Sequence, residues 1–147
     1  MFQFDEWGYI TPPEVHELTL EDFERIFVID SARERLFGRL LDLVTDLKGL
    51  EEKKFYLWMG GSCVTKKRVP RDIDVVCFLD YKIFKKVEDQ KSRLREYYKD
   101  YLDIFIEEDF PEIHLKYPQT VRVHMDWREM FGYDRNNRRK GFIQLQF

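Results

Sequence analysis

The run Ile73-Asp74-Val75-Val76-Cys77-Phe78-Leu79 constrains the fold of this chain more than any other segment. Apart from Asp74 it is apolar on both of its alternating faces, which a strand satisfies in the middle of a sheet. Asp72 and Asp74 stand at its start, and the side-chain period of 2 sends both carboxylates to one face while Ile73 and Val75 enter the opposite layer. Paired carboxylates at the mouth of a buried strand are costly unless a cation or basic side chains compensate them. Mg²⁺ suits that position, because it takes hard oxygen ligands and usually needs only one or two carboxylates besides the phosphates of its substrate. The competing reading is an ion pair with Arg71 or Lys66.

Upstream, Phe55 to Met59 reads as a short buried strand that ends at Gly60-Gly61-Ser62. Two glycines let the main chain approach a ligand closely, and the Ser62 hydroxyl adds a phosphate contact. Lys66, Lys67, Arg68 and Arg71 follow closely, Lys66 being the foremost candidate for a phosphate charge. The alternative is an ordinary turn with a solvated basic loop. No Walker A pattern is present. A third acid is expected from a neighbouring strand: Asp103, within Leu102-Asp103-Ile104-Phe105-Ile106, is ranked first, and Asp126 in Met-Asp-Trp competes with it.

At 147 residues, with 44% hydrophobic and 36% charged residues, the chain is expected to form one globular domain. Residues 1–18 read as an extended aromatic arm, broken at Gly8, Pro12 and Pro13, that wraps the core. Residues 19–49 read as two helices, capped at Thr19 and by a Ser31-x-x-Glu34 box, the second stopping at Gly49. The motif-bearing core spans 55–106 and includes a helix over 81–101. Val121 to Trp127 and Gly141 to Phe147 alternate like strands and are expected to pair as an edge hairpin around a turn at 134–140. The fold class is therefore α/β, a small mixed sheet with helices on one side.

The net charge of −3 gives no global positive field for nucleic acid, although Arg135, Arg138, Arg139 and Lys140 form a basic turn that either contacts RNA or DNA phosphates or is solvated. Cys63 and Cys77 read as small hydrophobes in a reducing cytoplasm, and His16, His114 and His124 are too scattered for zinc. No apolar stretch reaches membrane-spanning length, and the N-terminus has no secretory pattern. Neither membrane nor export is expected.

Gly61 and Ser62, a spacer, Asp72-Ile73-Asp74 and the later Asp103 together resemble the signature of the nucleotidyltransferase fold, the DNA polymerase β-like superfamily, in minimal form. The likeness covers Phe55 to Ile106. Over the whole chain, the Gly8-Tyr-Ile-Thr-Pro-Pro arm, the helices at Phe23 to Phe27 and Arg33 to Leu47, Thr65-Lys66 before Pro70, and Phe131-Gly132 through Arg135 to Lys140-Gly141 resemble small nucleotidyltransferase-like proteins of bacteria and mobile elements. The resemblance implies transfer of a nucleoside monophosphate from a triphosphate to a hydroxyl of a protein or RNA. It implies two Mg²⁺ ions on Asp72, Asp74 and Asp103, with Gly60, Gly61, Ser62 and Lys66 on the nucleotide. The chain lacks the second domain of larger members. Minimal members are often antitoxins or accessory subunits beside a partner protein, so the alternative is an inactive module that binds a toxin or complex subunit.

Overall fold

A computed structural model describes residues 2–50 and 54–147. The expected class is present: five strands make a mixed sheet, with helices against it. In chain order the elements are β1 Gln3–Phe4, β2 Ile10–Thr11, β3 Val15–Leu18, α1 Leu20–Phe27, α2 Ser31–Leu50, β4 Tyr56–Gly60, a 3-10 turn at Ser62–Val64, β5 Ile73–Asp80, α3 Tyr81–Glu88, α4 Lys91–Tyr98, β6 Leu102–Asp109, α5 Tyr117–Phe131 and β7 Phe142–Gln146. The sheet order is β3-β7-β4-β5-β6, parallel at β3/β7 and β5/β6 and antiparallel between.

The doubly apolar β5 needs cover on both faces and receives it. Leu57, Met59, Val75, Cys77, Ile104 and Ile143 face a core built with α1, α2, α3 and α4. Trp58, Val76, Phe78 and Phe142 face Phe131 and Trp127 of α5 on the other side. Helices therefore lie on both faces, not on one. The same fact corrects the C-terminal reading. Residues 121–127 are part of α5, and β7 lies inside the sheet between β3 and β4 rather than in an edge hairpin. Alternation by twos hid a second pattern, because Thr120, Val123, Trp127 and Phe131 recur at three- and four-residue spacing and form the inward stripe of that helix.

Smaller differences have local causes. Thr19 caps α1 as expected, its Oγ1 accepting from the Asp22 amide at 3.0 Å. The cap of α2 is Asp30 rather than Ser31, since Asp30 Oδ1 accepts from the Arg33 amide at 2.8 Å and Ser31 is already helical. That helix runs through Gly49 to Leu50, and residues 51–53 lie outside the described set. The 81–101 segment is two helices, α3 and α4, separated by a turn in which the Gln90 amide donates to the Val87 carbonyl at 2.8 Å. The arm does wrap the core, with Phe2 and Phe4 packed on it and Ile10 buried, but it also forms the β1/β2 ribbon and supplies β3 to the sheet. Among the described residues no helix is long and apolar enough to cross a membrane.

Candidate active site

Strand register assembles the site. In the antiparallel β4/β5 pair Gly60 lies opposite Asp74, and in the parallel β5/β6 pair Asp74 lies opposite Asp103. Adjacent strands are about 4.8 Å apart, so Gly60, Asp74 and Asp103 form a row across the sheet. Asp72 sits just before β5 on the same side as Asp74 by the two-residue period. The row lies on the α5 face, at the end of the sheet where β4 exits and β5 and β6 begin.

The glycines fit by exclusion. Gly61 has φ +75, in the left-handed region, and a Cβ there would run into the Asp74 carboxylate. A Cβ on Gly60 would penetrate the Phe131 ring. The expected close approach of the Gly-Gly-Ser turn is thus made to the Asp74 carboxylate itself.

Arg71 and Lys140 oppose the negative charge of Asp72 and Asp74 only from a distance. Among the described residues none of Asp72, Asp74 and Asp103 accepts a hydrogen bond or enters a salt bridge, so the ion pair with Arg71 or Lys66 does not form. Burial, followed by Asp72 and Asp103, pushes the Asp74 carboxyl up to about 6. Burial and then Asp103 raise Asp72, with Arg71 opposing. Hard oxygen donors with uncompensated charge fit a small divalent cation. The three do not form a closed cage: among the described residues no group of three His, Cys, Asp or Glu side chains is placed to hold a metal ion. Two neighbouring carboxylates supply only part of the oxygen ligands a Mg²⁺ ion takes, so any such ion would need the rest from a ligand or water.

Two cavities border the carboxylates. One, of about 950 Å³, is lined by Gly61, Ser62, Lys66, Asp74 and Lys140, and extends to Trp7 and Tyr133. The other, of about 390 Å³, is lined by Asp72, Ser92, Arg95, Lys99 and Asp103. Asp126 is exposed on α5 and lines neither, which removes it as the competing third acid. Lys67 reaches the larger cavity, whereas Arg68 and Arg71 are exposed and line neither.

Two functional candidates escaped the sequence reading. Lys140 leaves the supposed basic tip and turns into the larger cavity, where burial lowers its pKa against the opposing pull of Asp134 and Asp74. Arg138 of the same turn pairs with Asp134 at 3.7 Å and stacks on Trp7, leaving Arg135 and Arg139 as the exposed cations. Arg33 is the second. It is 2% exposed, and its guanidinium donates to the carbonyls of Cys63 at 2.5 Å, Thr65 at 2.8 Å and Lys67 at 2.8 Å. Three carbonyls of the loop after Gly61 are thereby turned inward and fastened to α2. Its place on the apolar stripe of α2, ahead of Leu36, Phe37 and Leu40, is the signal that marks it.

The cysteines and histidines have structural places. Burial pushes Cys63 up to about 11 and Cys77 up to about 12, so both are inert thiols. His16 is bonded to the Pro12 carbonyl at 2.7 Å, His114 accepts from the Lys116 amide at 2.9 Å, and His124 packs edge-on against Tyr56 and Phe78 and tilted against Trp58.

A family model described as "Family of unknown function (DUF6932)" matches residues 2–146. The chain belongs to the DUF6932 family. Comparison with curated proteins and with solved structures finds no match. Membership of DUF6932 carries no activity with it, so function is argued from the site.

Proposed function

We propose that this protein is a Mg²⁺-dependent nucleotidyltransferase that moves a nucleoside monophosphate from a nucleoside triphosphate to a hydroxyl. The observation that carries the proposal is the row of Gly60, Asp74 and Asp103 in adjacent register, with Gly61 against the Asp74 carboxylate and an unpaired Asp72 beside it. In-line displacement needs the attacking and leaving oxygens on opposite sides of the α-phosphorus, and the carboxylates stand between two cavities. Ser62, Lys66 and Lys140 hold the β- and γ-phosphates in the larger one. Asp72 and Asp74 would hold a Mg²⁺ ion together with the triphosphate oxygens, and Asp103, the third acid of the row, stands beside them where the acceptor hydroxyl would enter. When bound, Mg²⁺ lowers the pKa of the attacking hydroxyl and neutralises triphosphate charge. The acceptor oxygen bonds to the α-phosphorus, the α–β bridging bond breaks, pyrophosphate leaves, and the exposed Asp103 carboxylate takes the hydroxyl proton.

The test is label transfer in Mg²⁺ from α-phosphate-labelled and γ-phosphate-labelled triphosphates to protein and RNA fractions of a lysate. Transfer from the α label alone, lost in Asp72→Ala/Asp74→Ala, supports the proposal. Absence of transfer together with absence of Mg²⁺-dependent triphosphate binding overturns it.

One observation favours a second reading, an inactive module that binds a partner protein such as a toxin or complex subunit. Ile113 and Leu115, 97% and 94% exposed, flank α5 and meet no core. On this reading Ile113→Ser/Leu115→Ser abolishes partner capture while Asp72→Ala/Asp74→Ala leaves it intact.

A further inference from the structure

The lining of the larger cavity is aromatic as well as basic. Its volume of about 950 Å³ has room for a nucleoside as well as its phosphates, small-ligand pockets spanning roughly 300–1,000 Å³. Trp7 and Tyr133 are part of that lining and are 51% and 41% exposed. Neither ring belongs to a hydrophobic core, in contrast to Trp58 and Trp127, which pack on the α5 face. The guanidinium of Arg138 lies 4.7 Å from the Trp7 ring centroid.

The turn that carries Trp7 is fixed from three directions. Asp5 Oδ1 accepts from the amides of Trp7 and Tyr9, both at 2.9 Å. The Lys66 amide donates to the Gly8 carbonyl at 3.0 Å, tying the turn to the basic loop. The Tyr9 hydroxyl donates to Asp134 Oδ2 at 2.8 Å, tying it to the turn that carries Tyr133 and Lys140. An aromatic side chain on a turn so anchored loses little freedom when a planar ligand stacks on it.

We propose that Trp7 is the nucleobase platform of this cavity, with Tyr133 beside it, so that the ligand is a whole nucleoside triphosphate whose phosphates point to Ser62, Lys66 and Lys140. This rests on the nucleotidyltransferase reading above and adds where the base is held. Base–aromatic stacking is tolerant of base identity, so ATP and GTP both serve as probes.

The experiment is calorimetric titration of the full chain and of Trp7→Ala and Trp7→Phe, in Mg²⁺, with ATP, GTP and inorganic tripolyphosphate. The wild type is expected to bind the tighter nucleotide about tenfold better than tripolyphosphate, within the range that stacking of one base gives. Trp7→Ala loses about that tenfold for the nucleotide and leaves tripolyphosphate within about twofold, while Trp7→Phe keeps most of the affinity. Equal binding of nucleotide and tripolyphosphate by the wild type, or equal weakening of both by Trp7→Ala, overturns the platform and leaves the phosphate site standing. Absence of binding of every ligand by folded protein overturns the platform together with the reading beneath it.

Discussion

Replacing Asp74 by Asn is expected to stabilise the protein at neutral pH and to abolish its response to Mg²⁺. The Asp74 carboxyl is pushed from its ordinary 3.8 up to about 6 by burial and by Asp72 and Asp103. A group with a higher pKa folded than unfolded binds its proton more tightly in the folded state. Its contribution is therefore fully present below about 4 and is lost as pH rises through about 6. At 1.36 kcal/mol per pKa unit the ceiling on that loss is about 3 kcal/mol. Asp74 is only partly buried, so screening by water brings the expected gain of the neutral isostere to about 1–2 kcal/mol. For 147 residues, with an unfolding entropy near 0.3 kcal/mol/K, that is a rise in Tm of about 3–6 °C. Thermal unfolding by circular dichroism at pH 7.5 and pH 4 reads it, because the advantage of Asn shrinks towards zero as the wild-type carboxyl protonates. In millimolar Mg²⁺ the wild type gains Tm and the variant does not. A variant no more stable than wild type at pH 7.5, or one whose advantage persists at pH 4, refutes the claim that uncompensated charge is held at this position.

Arg33→Met leaves the carbonyls of Cys63, Thr65 and Lys67 without their donor and should cost about 3 kcal/mol or more in urea unfolding, a loss under 1 kcal/mol contradicting the clamp. Gly61→Ala puts a Cβ against the Asp74 carboxylate at φ +75 and should cost about 1–2 kcal/mol while weakening Mg²⁺-dependent triphosphate binding at least tenfold; unchanged binding would separate this turn from the ligand. Asp103→Asn should hold triphosphate affinity within about threefold and lower transfer by about a hundredfold or more, measured by single-turnover label transfer. The imidazole of His124, lowered from 6.5 by burial and then Arg128, should titrate below 6.5 in an NMR pH series, its neutral form supporting stability above that range and losing it as pH falls; titration at or above 6.5 would mean the ring is not held in its aromatic cluster.

The strands were legible where burial is two-sided. Tyr56–Gly60, Ile73–Asp80 and the start of Leu102–Asp109 are continuous apolar runs interrupted by Asp only at their mouths, and the motif residues fall where those runs place them. Val121 to Trp127 reads as a strand but lies within α5, because the segment satisfies periods of 2 and of 3.6 at once. Length does not arbitrate, because the alternating stretch is short enough for a strand and is only part of a helix of 15 residues. The two-sided apolarity of β5 already demanded a second covering layer, and that demand was the available argument for a helix. Arg33 was hidden by its type: a cation on an apolar stripe reads as surface until its carbonyl partners, some 30 residues away, are in place. Lys140 and Trp7 had no local signal, because what distinguishes them from the neighbouring cations and aromatics is the Tyr9–Asp134 contact across 125 residues.

The extent of α5 explains how a strand that must be buried on both faces tolerates acids at one end. The helix covers Trp58, Val76 and Phe78 through Phe131 and its neighbours, and Trp127 closes over Phe105 with ring centroids 4.8 Å apart. It ends at Phe131, whose ring is seated on Gly60, where even a methyl group would displace it. One step further along the same row stand Asp74 and Asp103, beyond the reach of that cover. The chain then turns at Gly132 and runs through residues 133–140 around the opening instead of across it, held by the Lys140 amide to the Gly132 carbonyl at 2.9 Å and by the Gly141 amide to the Ile10 carbonyl at 2.7 Å. The same sheet face is thus core where the helix lies and cavity where it stops. The ring at that stop rests on a glycine of the motif itself, so the packing of the second layer and the opening of the site meet at one residue. A longer or displaced α5 would bury the carboxylates at a cost that no salt bridge among the described residues offsets.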